Sequence, residues 1–300
     1  MKAMPRTLAS PGLAALLALA LSACSSSTGA GADMAQNPLI DARPYRSVVP
    51  TGYDPKTPTP LLLLLHGYSA TGLAEDIYLG LGAAVNRRGF LYAYPDGTVD
   101  KVGNHFWNAT DACCNFFGST VDDVAYLNAV VDDMSAKYNV DPKRIYVAGH
   151  SNGGFMAHRL ACDSAGRFAA AMALAGDVWL DPGKCNPSQP VALLQVHGDA
   201  DESILYLGGS TGLGATYPSA PASVGTWAQK NHCSAAATPG APMTLDSSLP
   251  ANQTAVDRYT ACATGGAAEL WTIHGGTHVP TFVAGWADTL YDWLSAHARQ

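Results

Sequence analysis

The sequence predicts an α/β protein with a mostly parallel central sheet covered by helices on both faces. Three observations point there. Short apolar runs alternate with longer amphipathic segments from Arg46 to the C-terminus. Leu61–Leu65 is unbroken leucine, as suits a strand buried on both faces. Gly149-His150-Ser151-Asn152-Gly153 lies between a strand-like run, Arg144–Ala148, and a helix-like one, Gly154–Cys162, which makes a strand–turn–helix unit.

The elements follow in order. Arg46–Pro50 and Leu61–Leu65 read as strands split by the turn-rich 51–60 segment. Leu73–Arg88 reads as a helix stopped by Gly89, and Phe90–Tyr94 as a strand closed by Pro95-Asp96-Gly97. Val121–Tyr138 is the clearest helix, with Val121, Val124, Leu127, Val131 and Met134 on one face. Ala169–Ala175 and Val191–Val196 read as strands. Pro221–Asn231 is a helix opened by proline. Glu269–Ile273 reads as a late strand, and Pro280–Ala298 as a closing helix. Leu207–Ala220 and Ala235–Gln253 are read as loops over the sheet edge.

The chain has 300 residues, 48% of them hydrophobic and 14% charged, which suits one large domain with a well-buried sheet. Its net charge is −7 and it carries no basic patch, so nucleic acid is excluded as a partner class. Lys2 and Arg6 precede an apolar core, Gly12–Leu21, that is too short to cross a bilayer. Leu21-Ser22-Ala23-Cys24 resembles a bacterial lipobox with Cys24 as the lipidated residue; ordinary signal cleavage is the alternative. The expected organisation is a lipoprotein signal peptide at 1–23, a flexible Ser/Gly/Ala-rich tether at 24–38 and a single domain at 39–300. The protein is expected to be exported to the cell envelope or beyond, to touch membrane only through Cys24, and to be a monomer.

Export implies an oxidising compartment. Cys113, Cys114, Cys162, Cys185, Cys233 and Cys262 then form an even set, which suggests three disulfides. Their spacing fits no common zinc pattern, so no metal is expected. Cys233–Cys262 is the expected pair, with the adjacent Cys113 and Cys114 shared between Cys162 and Cys185.

The glycine-flanked Ser151 is positioned as a nucleophile. A serine hydroxyl needs a base within hydrogen-bond reach, and that base needs an orienting carboxylate. In a strand–turn–helix setting the acid and histidine follow the serine in the chain, each at the carboxyl end of a strand. His197-Gly198-Asp199-Ala200-Asp201 offers two carboxylates after one strand. Asp201 is taken as the acid, in part from the resemblance below, with Asp199 as a turn residue bonding its own backbone. His274-Gly275-Gly276-Thr277-His278 offers two bases after another strand, and His278, in the loop beyond the strand, is taken over His274. The oxyanion donors expected are the backbone N–H groups of Asn152 and, in His66-Gly67-Tyr68, of Tyr68. His66 and His150 read as packed and hydrogen-bonded, and His197 as a strand cap.

From Tyr45 to the C-terminus the chain resembles the secreted polyhydroxybutyrate depolymerase / feruloyl esterase family of α/β-hydrolases. The resemblance rests on Leu65-His66-Gly67, Trp107-Asn108 before Cys113-Cys114, and Val121-Asp122-Asp123-Val124. It rests further on Gly149–Gly154, His197-Gly198 with Asp201, Tyr217-Pro218-Ser219-Ala220 and Gly275-Gly276-Thr277-His278. It implies an α/β-hydrolase fold, a Ser151–Asp201–His278 triad without cofactor, and a disulfide from Cys162 to the double-cysteine loop. Leu205 before Tyr206 and Val279-Pro280 after the histidine depart from the family's pattern, at positions that could line an acyl pocket. Trp107 and Tyr206 are the expected substrate walls; Phe116 and Phe117 are expected to anchor their loop. The implied activity is serine ester hydrolysis on feruloyl or acetyl esters of plant polysaccharide or on hydroxyalkanoate polyesters. A hydrolase-fold binding module without activity and a peptidase of the same fold are the alternatives.

Overall fold

A computed structural model describes residues 37–299. The expected signal segment, Cys24 and the tether up to residue 36 lie outside the described residues. The elements are α1 (Pro38–Ala42), β1 (Arg46–Val48), β2 (Thr59–Leu65), α2 (Gly72–Leu79), α3 (Leu81–Arg88), β3 (Leu91–Tyr94), β4 (Thr98–Val99), β5 (His105–Phe106) and α4 (Asp123–Lys137). They continue as β6 (Val140–His150), α5 (Asn152–Asp163), β7 (Ala170–Leu174), β8 (Ala192–Gly198), α6 (Ala220–Lys230), β9 (Ala237–Pro239), β10 (Thr254–Tyr259), β11 (Ala267–Ile273) and α7 (Trp286–Ser295). Nine strands form one sheet in the order β1-β3-β2-β6-β7-β8-β11-β10-β9. From β3 to β11 every pairing is parallel; β1, β9 and β10 join antiparallel at the two edges.

Residue alternation in β2 explains how the sheet holds two cores. Leu61, Leu63 and Leu65 face a cluster with α4, α5 and α6. Leu62 and Leu64 face a second cluster with α2, α3 and α7. All five are fully buried, so truncating any one to alanine should cost about 2–5 kcal/mol.

Several boundaries differ from expectation. The single helix expected over 73–88 is two helices, because Gly80 adopts φ 66° and caps both α2 and α3. The last helix begins at Trp286 rather than Pro280. Residues 281–283 are extended against 245–247, with Val283 N–H donating to Leu245 and Ser247 N–H to Thr281. The segment expected to be a loop over 235–253 contributes β9 and is followed by the unforeseen β10. Both lie at the sheet edge, where half-exposed strands such as Thr254–Tyr259 carry polar residues and a weak apolar signal.

The cysteines form Cys162–Cys185 and Cys233–Cys262, and Cys113 bonds to its neighbour Cys114. Cys233 and Cys262 lie together, as expected. The expected sharing of Cys113 and Cys114 between Cys162 and Cys185 is not found. The end of α5 faces the segment after β7, which brings the Cα atoms of Cys162 and Cys185 to 5.1 Å, within ordinary bridging range. Non-reducing peptide mapping is expected to recover Cys162–Cys185 and Cys233–Cys262 cross-links. A peptide joining Cys162 to the 113–114 segment would contradict the fold described here.

Candidate active site

Strand register brings the functional loops together. β2 and β6 are adjacent and parallel, with Leu65 opposite Gly149. The chain passes from β2 outward to β3 and later returns to β6, so the crevice at their carboxyl ends is the topological switch point of the sheet. The His66–Tyr68 loop and Ser151 open into it. β8 and β11 are also adjacent, with Gly198 opposite Ile273, which sets the acid loop beside the histidine loop. Asp199 N–H donates to Ile273 and Ala200 N–H to Gly276, at 3.1 and 3.0 Å.

Ser151 stands at the sharp turn between β6 and α5 with φ 55° and ψ −119°, a conformation that non-glycine residues rarely adopt. Its N–H donates to Leu174 and its carbonyl accepts from Phe155, at 2.8 and 3.0 Å. Close approach dictates the flanking glycines. A Cβ on Gly149 would collide with the Gly153 carbonyl, and one on Gly153 with the Leu65 carbonyl.

His278 and Asp201 are hydrogen-bonded, with Nδ1–H of His278 donating to Asp201 Oδ2 at 2.7 Å. That bond leaves Nε2 as the acceptor face of the ring. Asp201 Oδ1 accepts from the N–H groups of Ser203 and Ile204, at 2.8 and 2.9 Å. Burial opposes its ionisation, but the hydrogen bonds from His197, His278 and Ile204 outweigh that and hold the carboxyl well below the usual carboxylate range. The runners-up pair with each other. Asp199 Oδ2 lies 2.8 Å from His274 Nδ1 and Oδ1 accepts from Gly275 N–H, on the exposed rim. Asp199 thus bridges to the neighbouring loop in addition to the expected contact with its own backbone.

Among the described residues, no protein acceptor takes the N–H of Tyr68 or of Asn152. Both therefore remain free donors at the switch point. The Asn152 side chain is occupied elsewhere. It accepts from Trp107 N–H at 2.7 Å and donates to the Trp107 carbonyl at 3.0 Å, tying the 107 segment to the elbow.

Trp107 is not a substrate wall. It is 0% exposed, and its indole N–H donates to the His66 carbonyl at 3.0 Å, so it braces the His66–Tyr68 loop from within the core. Tyr206 is partly buried; its hydroxyl shares a hydrogen bond with Thr272 and its ring packs edge-on to His197. Phe116 and Phe117 are not buried anchors either, being 41% and 37% exposed. With Asp100, Lys101, Phe106 and Ser119 they line a recess of about 320 Å³, and Phe116 meets Tyr68 edge-on at 5.0 Å. A second recess, of about 430 Å³, opens beside His278 between Glu202, Ser203 and Val279.

Beneath the acid loop lies a buried polar network of which the sequence suggested only His197, as a strand cap. His197 Nε2 lies 2.8 Å from the Ile204 carbonyl, to which it donates, and 3.4 Å from Asp201 Oδ2. Gln195 and Ser223 donate to Asp177, whose carboxyl burial pushes up to about 6. His158 on α5 is held neutral. It accepts from Trp227 Nε1–H at Nδ1 and donates from Nε2 to the Gly176 carbonyl, and burial pushes its pKa down to about 3. Each of these residues looks like ordinary core-strand or helix polarity in the sequence; only the fold reveals that they touch.

The strand order, the elbow after central β6 and the paired acid and histidine loops define an α/β-hydrolase. The solved structure of an acetyl xylan esterase from Aspergillus awamori shares this fold, with a TM-score of 0.57 and 15% identity, over 83% of this chain and 92% of that one. A profile of the prolyl oligopeptidase family matches residues 82–181, which contain the elbow but end before Asp201 and His278. Feruloyl esterase B of Piromyces equi is 30% identical over 236 residues, 76% of this chain and 41% of that protein. Poly(3-hydroxyalkanoate) depolymerase C of Paucimonas lemoignei is 30% identical over 160 residues, 52% of this chain and 35% of that protein. The chain thus spans less than half the length of these two relatives. It has the α/β-hydrolase fold and is similar to a feruloyl esterase and a poly(3-hydroxyalkanoate) depolymerase.

The neutral state of His158 sets a pH dependence. Unfolded, its imidazole takes up a proton near pH 6.5; folded, it does not until about pH 3. The unfolded chain then binds more protons across that window, so stability falls as pH drops from about 6.5 toward 3, by up to a few kcal/mol. Urea unfolding of wild type and His158→Asn at several pH values checks this. The variant should show the shallower slope; parallel profiles would contradict the buried neutral imidazole.

Proposed function

We propose that the protein is an exported serine carboxylic-ester hydrolase acting through an acyl-enzyme on Ser151. The reading rests above all on the 2.7 Å Asp201–His278 bond at one side of the switch point that Ser151 enters. His278 Nε2 takes the Ser151 proton as Oγ attacks the ester carbonyl. The oxyanion that forms accepts from the N–H groups of Tyr68 and Asn152. His278 returns the proton to the leaving alcohol, and water activated by the same ring then adds to the acyl-enzyme and releases the acid. Asp201 stays ionised throughout and fixes the ring tautomer. No cofactor takes part.

The substrate class we favour is a feruloyl or related aromatic ester of plant polysaccharide. Phe116 and Phe117 beside Tyr68 offer exposed aromatic surface next to an oxyanion donor, suited to a planar acyl group. Hydroxyalkanoate esters are the second choice, supported by the likeness to the depolymerase. The lipobox-like 21–24 segment and the paired cysteines support export, with Cys24 as anchor.

Ser151→Ala and His278→Ala are each expected to lose on the order of 10⁴-fold in turnover on short p-nitrophenyl esters. Hydrolysis near the wild-type rate by either variant would refute the assignment. On a panel of ferulate methyl ester, acetylated xylan and hydroxybutyrate oligomers, ferulate should give the highest kcat/KM. Phe116→Ala should lower that value by about 10-fold, on the scale of a lost aromatic contact, while sparing p-nitrophenyl acetate. A panel led by hydroxybutyrate oligomers would transfer the assignment to the second substrate class.

A further inference from the structure

His150 precedes the nucleophile and takes no part in the chemistry above. Its surroundings are nevertheless specific. It is buried, and both ring nitrogens face acceptors: Nδ1 lies 3.2 Å from Glu75 Oε1, at ion-pair distance but not aligned as a hydrogen bond, and Nε2 lies 3.0 Å from the backbone carbonyl oxygen of His278, to which it is hydrogen-bonded. A neutral imidazole has one N–H and could serve only one of them; the imidazolium serves both. Glu75, buried in the first turn of α2, uses its other oxygen to accept Gly67 N–H at 3.1 Å. One carboxylate and one imidazole therefore span the oxyanion loop, the elbow and the histidine loop.

We propose that His150 is a buried imidazolium, ion-paired to Glu75, and that this pair is a positioning device holding the His278 loop against the elbow through the His278 carbonyl. The positional part rests on the role proposed for His278 as base; the charge state of His150 does not. The groups facing His150 agree with a cation there. Glu75 and Tyr78 approach from α2, His278 from the loop after β11, and Asp201 from the loop after β8. Burial pushes the Tyr78 phenol up, so it stays neutral. The His278 ring, 4.9 Å away between centroids, has its own carboxylate in Asp201. Burial by itself disfavours the His150 cation, but its bonds to Glu75 and to the His278 carbonyl outweigh that and hold its pKa above the ordinary value.

A buried ion pair of this kind constrains geometry more than it stabilises, and breaking one partner leaves an uncompensated group. Once His150 loses its proton, the charge contact with Glu75 is lost and the single remaining N–H can serve only one of its two acceptors. If the bond to the His278 carbonyl is lost, the base is no longer fixed relative to Ser151 Oγ. Misplacement of a base by about 1 Å can cost on the order of 10²-fold in rate.

Two measurements test the proposal. Long-range ¹H–¹⁵N spectra of the ¹⁵N-labelled full chain read the charge of His150 directly. Both ring nitrogens are expected in the imidazolium range at pH 7 in wild type, and the titration to move to lower pH in Glu75→Gln. A neutral His150 at pH 7 in wild type would overturn the proposal, and this spectrum decides even if Glu75→Gln fails to fold or no ester is turned over. The second measurement is the pH profile of p-nitrophenyl acetate hydrolysis. Glu75→Gln should lower kcat on the order of 10- to 100-fold with KM little changed, and shift the descending alkaline limb to lower pH. A folded Glu75→Gln with unchanged kcat and an unchanged limb would also overturn it. Absence of ester hydrolysis in wild type would instead count against the proposed function, with the His150 spectrum unaffected.

Discussion

The rest of the site depends on the backbone of Ser151. A serine at φ 55° and ψ −119° is disfavoured by on the order of 1–3 kcal/mol, and the surrounding fold must over-determine it. The turn is closed by hydrogen bonds to β7 and into α5, while Gly149 and Gly153 allow β6, α5 and β2 to approach more closely than any side chain permits. What the conformation provides is exposure. It lifts the hydroxyl out of a sheet whose other central residues are buried, at the N-terminal end of α5, where the N–H of Asn152 is left free.

Parallel register does the remaining assembly. Each loop at the crevice follows directly from the carboxyl end of its strand, so the loops after β2 and β6 lie side by side, as do those after β8 and β11, and the His150 contact with the His278 carbonyl joins the two pairs across β7. Electrostatics then sorts them. Two imidazole–carboxylate pairs lie side by side, His278 with Asp201 and His150 with Glu75, each histidine facing its own acid. Below them Asp177, Gln195, His197 and Ser223 hold the acid loop from the interior. Within it Asp177 Oδ1 accepts from both Gln195 and Ser223, while Asp177 Oδ2 and Gln195 Oε1 have no protein partner among the described residues.

The legible parts of the sequence were those in which local pattern and tertiary role coincide. Leu61–Leu65 announced a strand buried on both faces, and the glycines around Ser151 announced a turn that only small residues fit. The buried strands located the acid and histidine loops, but each loop offered two candidates, and the choice of Asp201 leaned in part on the family resemblance. The illegible parts were decided by contacts between distant segments. Gly80 divides a helix whose apolar spacing continues through it. Residues 281–283 are drawn into extended pairing with 245–247, which no local preference encodes. Trp107 had an aromatic's appearance of a binding wall, yet its N–H found the His66 carbonyl inside the core. The partner of Cys162 was set by where α5 points, and Glu75 gave no signal at all beyond being an acid in a helix's first turn.

The most direct test of convergence at the elbow is a crystal structure of the chain after reaction with diethyl p-nitrophenyl phosphate. The account predicts phosphorus bonded to Ser151 Oγ, its phosphoryl oxygen accepting from the N–H groups of Tyr68 and Asn152, and His278 Nε2 within hydrogen-bond reach of the phosphorylated oxygen. Modification of another residue, or a phosphoryl oxygen turned away from both donors, would contradict it.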